Sequence, residues 1–120
     1  MGSFRDLIAY KKAFGLSMEI FKITKDFPKE ETYSLIDQIR RSSRSVFANI
    51  AEAYKKRRYP NHFVSKLTDV DMENGETQAW LDASLACNYI TEDKFAELNQ
   101  QSEEVSHLLM YMINNHEKFK

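Results

Sequence analysis

The sequence is poor in residues that break helices. It has only three Gly and two Pro in 120 residues, so long helices are expected. A single cysteine, Cys87, excludes an intrachain disulfide and fits a reducing cytoplasm, as does the lack of a secretory leader. No apolar run approaches the roughly 20 residues of a membrane span. With a net charge of −1, no global field draws the chain to nucleic acid or to a membrane surface. Met1-Gly2-Ser3 has the look of an acylation start, but Asp6 stands where Ser or Thr is required. A glycine-rich phosphate loop, a nucleophile elbow and a Cys–His pair are all missing.

What is present is apolar mass in helical phase. Hydrophobic residues make up 42% of the chain, including eight Phe and six Tyr, enough for one domain over residues 1–120 to bury a core without staples. Periodicity predicts four helices. The first runs from Phe4 to Lys25, capped by Ser3, and stops at Phe27-Pro28. It carries two apolar sets: Leu7, Tyr10, Phe14 and Phe21, and Ala13, Leu16, Ile20 and Ile23. At about 100° per residue the two sets span an arc of about 200°, where a helix packed on one core needs nearer about 100°. The second flank therefore meets either another helix of the same bundle or another subunit.

The second helix is expected from Glu30 to Lys56, with Ile36, Ile39, Val46 and Ile50 on its apolar face. Ser42, Ser45, Asn49 and Glu52 form a separate strip of mostly small polar groups, either a close packing face or a surface turned to water. The third helix should run from Pro60 to Tyr89, with Phe63, Leu67, Val70, Leu81 and Cys87 inward. Its middle is polar where a core helix should not be, and Gly75 costs about 1 kcal/mol there relative to Ala. That cost is expected to be offset by something packed closely against the glycine. Thr91 caps the fourth helix, whose Phe95, Leu98, Ser102, Val105, Leu109 and Met112 make the cleanest stripe in the chain. Four such helices with short turns predict an all-α, antiparallel up-down-up-down four-helix bundle.

Charge is segregated along this frame. Arg40, Arg41, Arg44, Lys55, Lys56, Arg57 and Arg58 face only Glu52 within residues 40–58, whereas Asp69, Asp71, Glu73 and Glu76 form a run without a cation. A hairpin folding near residue 57 places Arg44 near Asp71 and Arg40 or Arg41 near Glu76. Such pairs stabilise by only about 0–1 kcal/mol if exposed, and set register if buried. Lys55, Lys56, Arg57 and Arg58 lack an obvious internal counter-charge. Beside Tyr54 and Tyr59 they could hold phosphates while an aromatic ring stacks on a base, or simply solvate a helix end.

Chemistry of other kinds has thin support. Glu104-Val105-Ser106-His107 has the E-x-x-H spacing of di-iron bundles, but those need two such motifs and further carboxylates pointing inward. Here there is one, outside the core phase. Ser42, Ser43 and Ser45 have no base at a plausible location, so neither a catalytic residue nor a cofactor is expected.

The blocks F-R-D-L, D-F-P-K-E-E-T-Y-S-L and Q-I-R-R-S-S-R-S-V-F-A-N-I-A-E, with E-T-Q-A-W-L and N-Y-I further on, carry a resemblance. The chain resembles the bacterial four-helix-bundle proteins first recognised as products of intervening sequences in 23S rRNA genes. A related branch comprises accessory proteins of diversity-generating retroelements, which bind nucleic acid. The resemblance implies an antiparallel four-helix bundle and a homopentamer. Ala53 stands where the family usually has Gly. The functional expectation is a cytoplasmic, non-enzymatic, homo-oligomeric scaffold or binding protein. The alternative is an RNA- or DNA-binding accessory protein acting through the corner between helices 2 and 3.

Overall fold

A computed structural model describes residues 2–120; Met1 lies outside the described residues. The chain is an antiparallel four-helix bundle, about 44 × 25 × 21 Å. Its helices are α1 (Ile8–Thr24), α2 (Leu35–Lys55), α3 (Pro60–Ala86) and α4 (Glu92–Asn114), with short 3-10 turns at Phe4–Asp6, Lys29–Glu31 and His116–Phe119. Each helix packs on two neighbours, α1 on α2 and α4, and α3 on α2 and α4, while the diagonal pairs do not touch. The α1–α2 and α3–α4 outer surfaces are therefore opposite sides of a square.

The boundaries differ from the periodicity reading where side chains capture backbone groups. The chain extends at Leu7 (ψ 130°), so Ser3 caps a 3-10 turn and α1 starts one turn late. That break buries Leu7 and lays Phe4 edge-on to Tyr10, centroids 5.0 Å apart. Similarly α2 starts at Leu35, not Glu30. The Glu31 carboxylate accepts from the Ser34 hydroxyl (2.6 Å) and the Leu35 N–H (3.3 Å), doing the work of an N-cap. At the same end of the bundle α3 stops at Ala86. Asn88 takes a left-handed φ of 62°, and the Tyr89 N–H reaches the Ser84 carbonyl while the Asn88 N–H reaches that of Leu85. This is a Schellman stop with Asn in place of Gly. Cys87, expected in the core, is consequently exposed. Gly75 is exposed too, with open space where a Cβ would sit, so nothing within the chain packs against it. Thr91 caps α4 by accepting from the Lys94 N–H (3.1 Å).

Glu31 also ties the two loops at this end together, since the Tyr89 hydroxyl donates to its second oxygen at 2.8 Å. The bonds from Ser34 and Tyr89 hold the Glu31 carboxyl below its usual pKa, and the carboxylate pushes the Tyr89 phenol up to about 12. A phenol that holds its proton more tightly when folded stabilises the fold below its unfolded pKa of about 10. That contribution fades as pH rises from there toward about 12. Wild type is thus expected to lose urea stability over this window more steeply than Tyr89→Phe. Equal slopes for the two proteins would refute the latch.

The core is split into layers. One apolar cluster gathers Leu7, Ala13, Val46, Ile50, Phe63, Leu67, Val105 and Leu109; another gathers Leu16, Ile20, Ile39, Leu81 and Leu98. Between them in sequence on α2, α3 and α4, and next to Leu16 on α1, lie buried polar residues: Ser17, Ser42, Ser43, Asn74, Thr77 and Ser102. No helix among the described residues is long and apolar enough to cross a membrane.

Candidate functional site

The polar belt comes first, because it orders the surfaces around it. Ser17 on α1 meets Ser43 on α2 (3.3 Å), and Ser42 meets Thr77 on α3 (2.8 Å). Asn74 then bridges α3 to α4. Its amide nitrogen donates to the Ser102 carbonyl at 2.8 Å, and its oxygen accepts from the Ser102 hydroxyl at 3.0 Å. Gln78 donates to the same hydroxyl (2.9 Å), and Ser106 donates to Asp71 (2.6 Å). The polar middle of the third helix is thus a satisfied interior network. Sequence reasoning missed Ser17, Asn74, Thr77 and Gln78. Asn74 shares the core phase of Leu67, Val70 and Leu81, and that was the available signal.

The small strip of α2 turns toward α3 within the chain. Ser42 is buried against Thr77. Asn49 donates back to the Ser45 carbonyl and hydroxyl (both 2.8 Å), and Glu52 pairs with Lys66 of α3 at 3.3 Å. Ser42, Ser43 and Ser45 thus bond to Thr77, Ser17 and Asn49.

The three arginines separate. Arg41 pairs with Glu76 and, at 3.4 Å, with Glu73, and the Trp80 indole also donates to Glu76 (3.0 Å). Arg44 does not reach Asp71, which is turned to α4 to accept from Ser106. Arg40 does not reach Glu76 either. It lies on α1, with its Nε donating to the Thr24 hydroxyl (2.8 Å) and one Nη to the Phe21 carbonyl (3.3 Å). Burial, and then the charge of Arg44, lower the Arg40 pKa from its usual value. Both guanidiniums stand over the Phe21 ring, at 4.6 and 5.7 Å, with the Lys25 ammonium at 4.7 Å. On the wheel Arg40 and Arg44 lie about 100° and about 60° to the same side of Arg41, which sends one arginine to α3 and two to α1.

The basic corner is similarly uneven. Arg57 folds back, its guanidinium 4.1 Å from the Tyr54 ring centre and donating to the Tyr54 carbonyl at 3.0 Å. Lys55, Lys56 and Arg58 are exposed and, among the described residues, form no salt bridge. Tyr59, 64% exposed, stands edge-on to His62. Of the E-x-x-H pair, Glu104 binds Lys12 at 2.8 Å and His107 is exposed. Among the described residues no three His, Cys, Asp or Glu side chains converge as a metal site would require.

Large apolar side chains also remain outside. Ile8 (61% exposed) lies at an apolar groove of about 260 Å³ that Leu108, Tyr111 and Phe119 line, and Phe14 (41%) stands in an aromatic row with Tyr10 and Phe47. The wide apolar arc of the first helix is thus only partly covered by its own chain.

The family model described as 23S rRNA-intervening sequence protein matches residues 5–111. Among solved structures, a protein of unknown function from the S23 ribosomal protein family of Bacteroides thetaiotaomicron is similar. It is 28% identical, with a TM-score of 0.81 over 90% of this chain and 96% of that one. No curated protein matches the sequence.

Proposed function

The chain belongs to the 23S rRNA-intervening sequence protein family, and from that footing we propose that it is a cytoplasmic, non-enzymatic protein that assembles with copies of itself and works by binding. The observation that carries this is the uncovered part of α1: Ile8 and Phe14 stay exposed on either flank of the core-facing stripe. Isolated exposed apolar residues are ordinary, but rows of them mark contact surfaces. The buried serine hydroxyls bond to one another and to Thr77 instead of to a base, which supports binding over catalysis. The exposed Cys87 thiol fits a reducing compartment. The family resemblance favours five copies. Light scattering at micromolar concentration is expected to give about five times the 14.1 kDa chain. A 14.1 kDa species alone would overturn the reading.

A second reading rests on the corner at Lys55, Lys56 and Arg58, with Arg57 positioned by Tyr54. Their exposure without counter-charges, beside exposed Tyr59, supports RNA or DNA binding. In a fluorescence titration with structured RNA, affinity should fall steeply with salt. The triple Lys55→Ala, Lys56→Ala, Arg58→Ala variant should reduce the log–log salt slope by about 3. An unchanged slope, or no complex at low salt, would dismiss it.

A further inference from the structure

The bundle is electrically two-sided. The α1–α2 outer face carries Lys25, Arg40 and Arg44 gathered on one aromatic ring, next to Phe14 and Phe47. None of these three cations forms a salt bridge among the described residues. The opposite, α3–α4 face is acidic. Asp71 reaches across to Ser106 and so marks the α4 side of α3; exposed Asp82 follows on the same side about three turns later. On α4, exposed Glu103 sits one turn before Ser106, and exposed Glu92 lies about three turns before Glu103 on the same side. Asp82, Glu92 and Glu103 form no salt bridge among the described residues. Apolar surface accompanies the charge here as well, with Met110 at 47% exposed. Gly75, open and about two turns before Asp82, adds no side chain to obstruct an approaching helix.

We propose that copies of this chain meet head to tail, the basic aromatic α1–α2 face of one against the acidic α3–α4 face of the next. The proposal rests on self-association and assigns the surfaces that perform it. Like faces would repel, because the α1–α2 face is mainly basic, with exposed Asp37 beside Arg40 and Arg44, and the α3–α4 face is acidic, so a two-fold contact through either face is disfavoured. Unlike faces attract, and because they lie on opposite sides of the square every copy can hold two neighbours. A contact of this heterologous kind closes into a ring or runs on as a filament. Exposed Asp37 lines the same groove as Arg40 and Arg44 without a salt bridge to either among the described residues, so the acidic face of a neighbouring copy is their stronger attractive partner.

The test uses the full-length chain and two exposed positions, so helicity is expected to stay unchanged by circular dichroism. Arg44→Glu and Glu103→Lys are each made singly and combined in one chain. Each single variant should weaken assembly at least 10-fold by light scattering. The double variant should recover it, because the reversed charges face each other again at every contact. Raising salt should dissociate wild type. An assembled wild type that neither single reversal shifts overturns the assignment of these faces while leaving self-association standing. Singly dissociated variants whose double variant fails to recover also overturn it, because the two faces then do not meet. A wild type that is monomeric removes self-association itself and this proposal with it.

Discussion

Asn74→Asp is expected to lower stability at pH 7 by about 3–5 kcal/mol, the range for a buried charge left without compensation. Asn74 is fully buried, and its amide donates to the Ser102 carbonyl and accepts from the Ser102 hydroxyl. A carboxylate at this position can still accept, but it faces the Ser102 carbonyl oxygen where the amide offered a donor. A neutral carboxyl is nearly isosteric with the amide and supplies one O–H, so most of the network survives protonation. The sign follows from the burial. The introduced carboxyl has a higher pKa folded than unfolded, where it is about 3.9. Its deficit relative to wild type is therefore small below about pH 4 and grows as pH rises toward the folded value. Urea melts of both proteins from acid to neutral pH would measure it. A deficit under about 1 kcal/mol at pH 7, or one that does not change with pH, would mean the belt is open to water.

The second large effect is Phe63→Ala. Phe63 is fully buried in the first turn of α3, where it joins Leu7, Ile50, Leu67, Leu109 and the ring of Phe119, centroids 6.2 Å apart. Truncating a buried Phe costs about 3–5 kcal/mol, through lost transfer energy and an unfilled cavity. At roughly 4 °C per kcal/mol this lowers Tm by more than 10 °C. Phe63→Leu, which keeps most of the volume, should cost well under half as much. A loss below about 1.5 kcal/mol for the alanine would show that the lower cluster collapses around the gap. Positions 63 and 74 are about three turns apart and lie in separate layers. The double variant should accordingly sum the two losses to within about 0.5 kcal/mol. A larger coupling would mean that the belt transmits strain between the apolar clusters.

Much of the bundle was legible because helical phase is a local property. Ile39, Val46 and Ile50 on α2, and Leu98, Val105, Leu109 and Met112 on α4, are buried where their spacing put them. Thr91 caps α4 as its position indicated. Errors arose where a side chain outbid the helix for a backbone group. Glu31 delays α2, and Asn88 ends α3 before Cys87 can enter the core. Those outcomes depend on turn geometry that a spacing pattern does not encode.

Charge partners were only partly legible, for a different reason. An antiparallel hairpin places positions at the same height, which brought Arg41 to Glu73 and Glu76. Height says nothing about rotation, and Arg40 and Arg44, about 100° and about 60° around from Arg41, went to Phe21 of α1 instead. The polar belt was illegible as a belt. Its members are Ser, Thr, Asn and Gln residues scattered over four helices, and only packing those helices side by side puts them at one level with their hydrogen bonds closed on one another.

The sequence by itself determined four helices, their apolar stripes and the family blocks, since each depends on residues a turn or two apart. The tertiary structure alone decided which cations are satisfied inside the chain, where the buried amide finds its partners, and that basic and acidic surfaces fall on opposite sides. Those depend on the relative rotation of whole helices, which is settled by the sum of their packing and by no short stretch of residues.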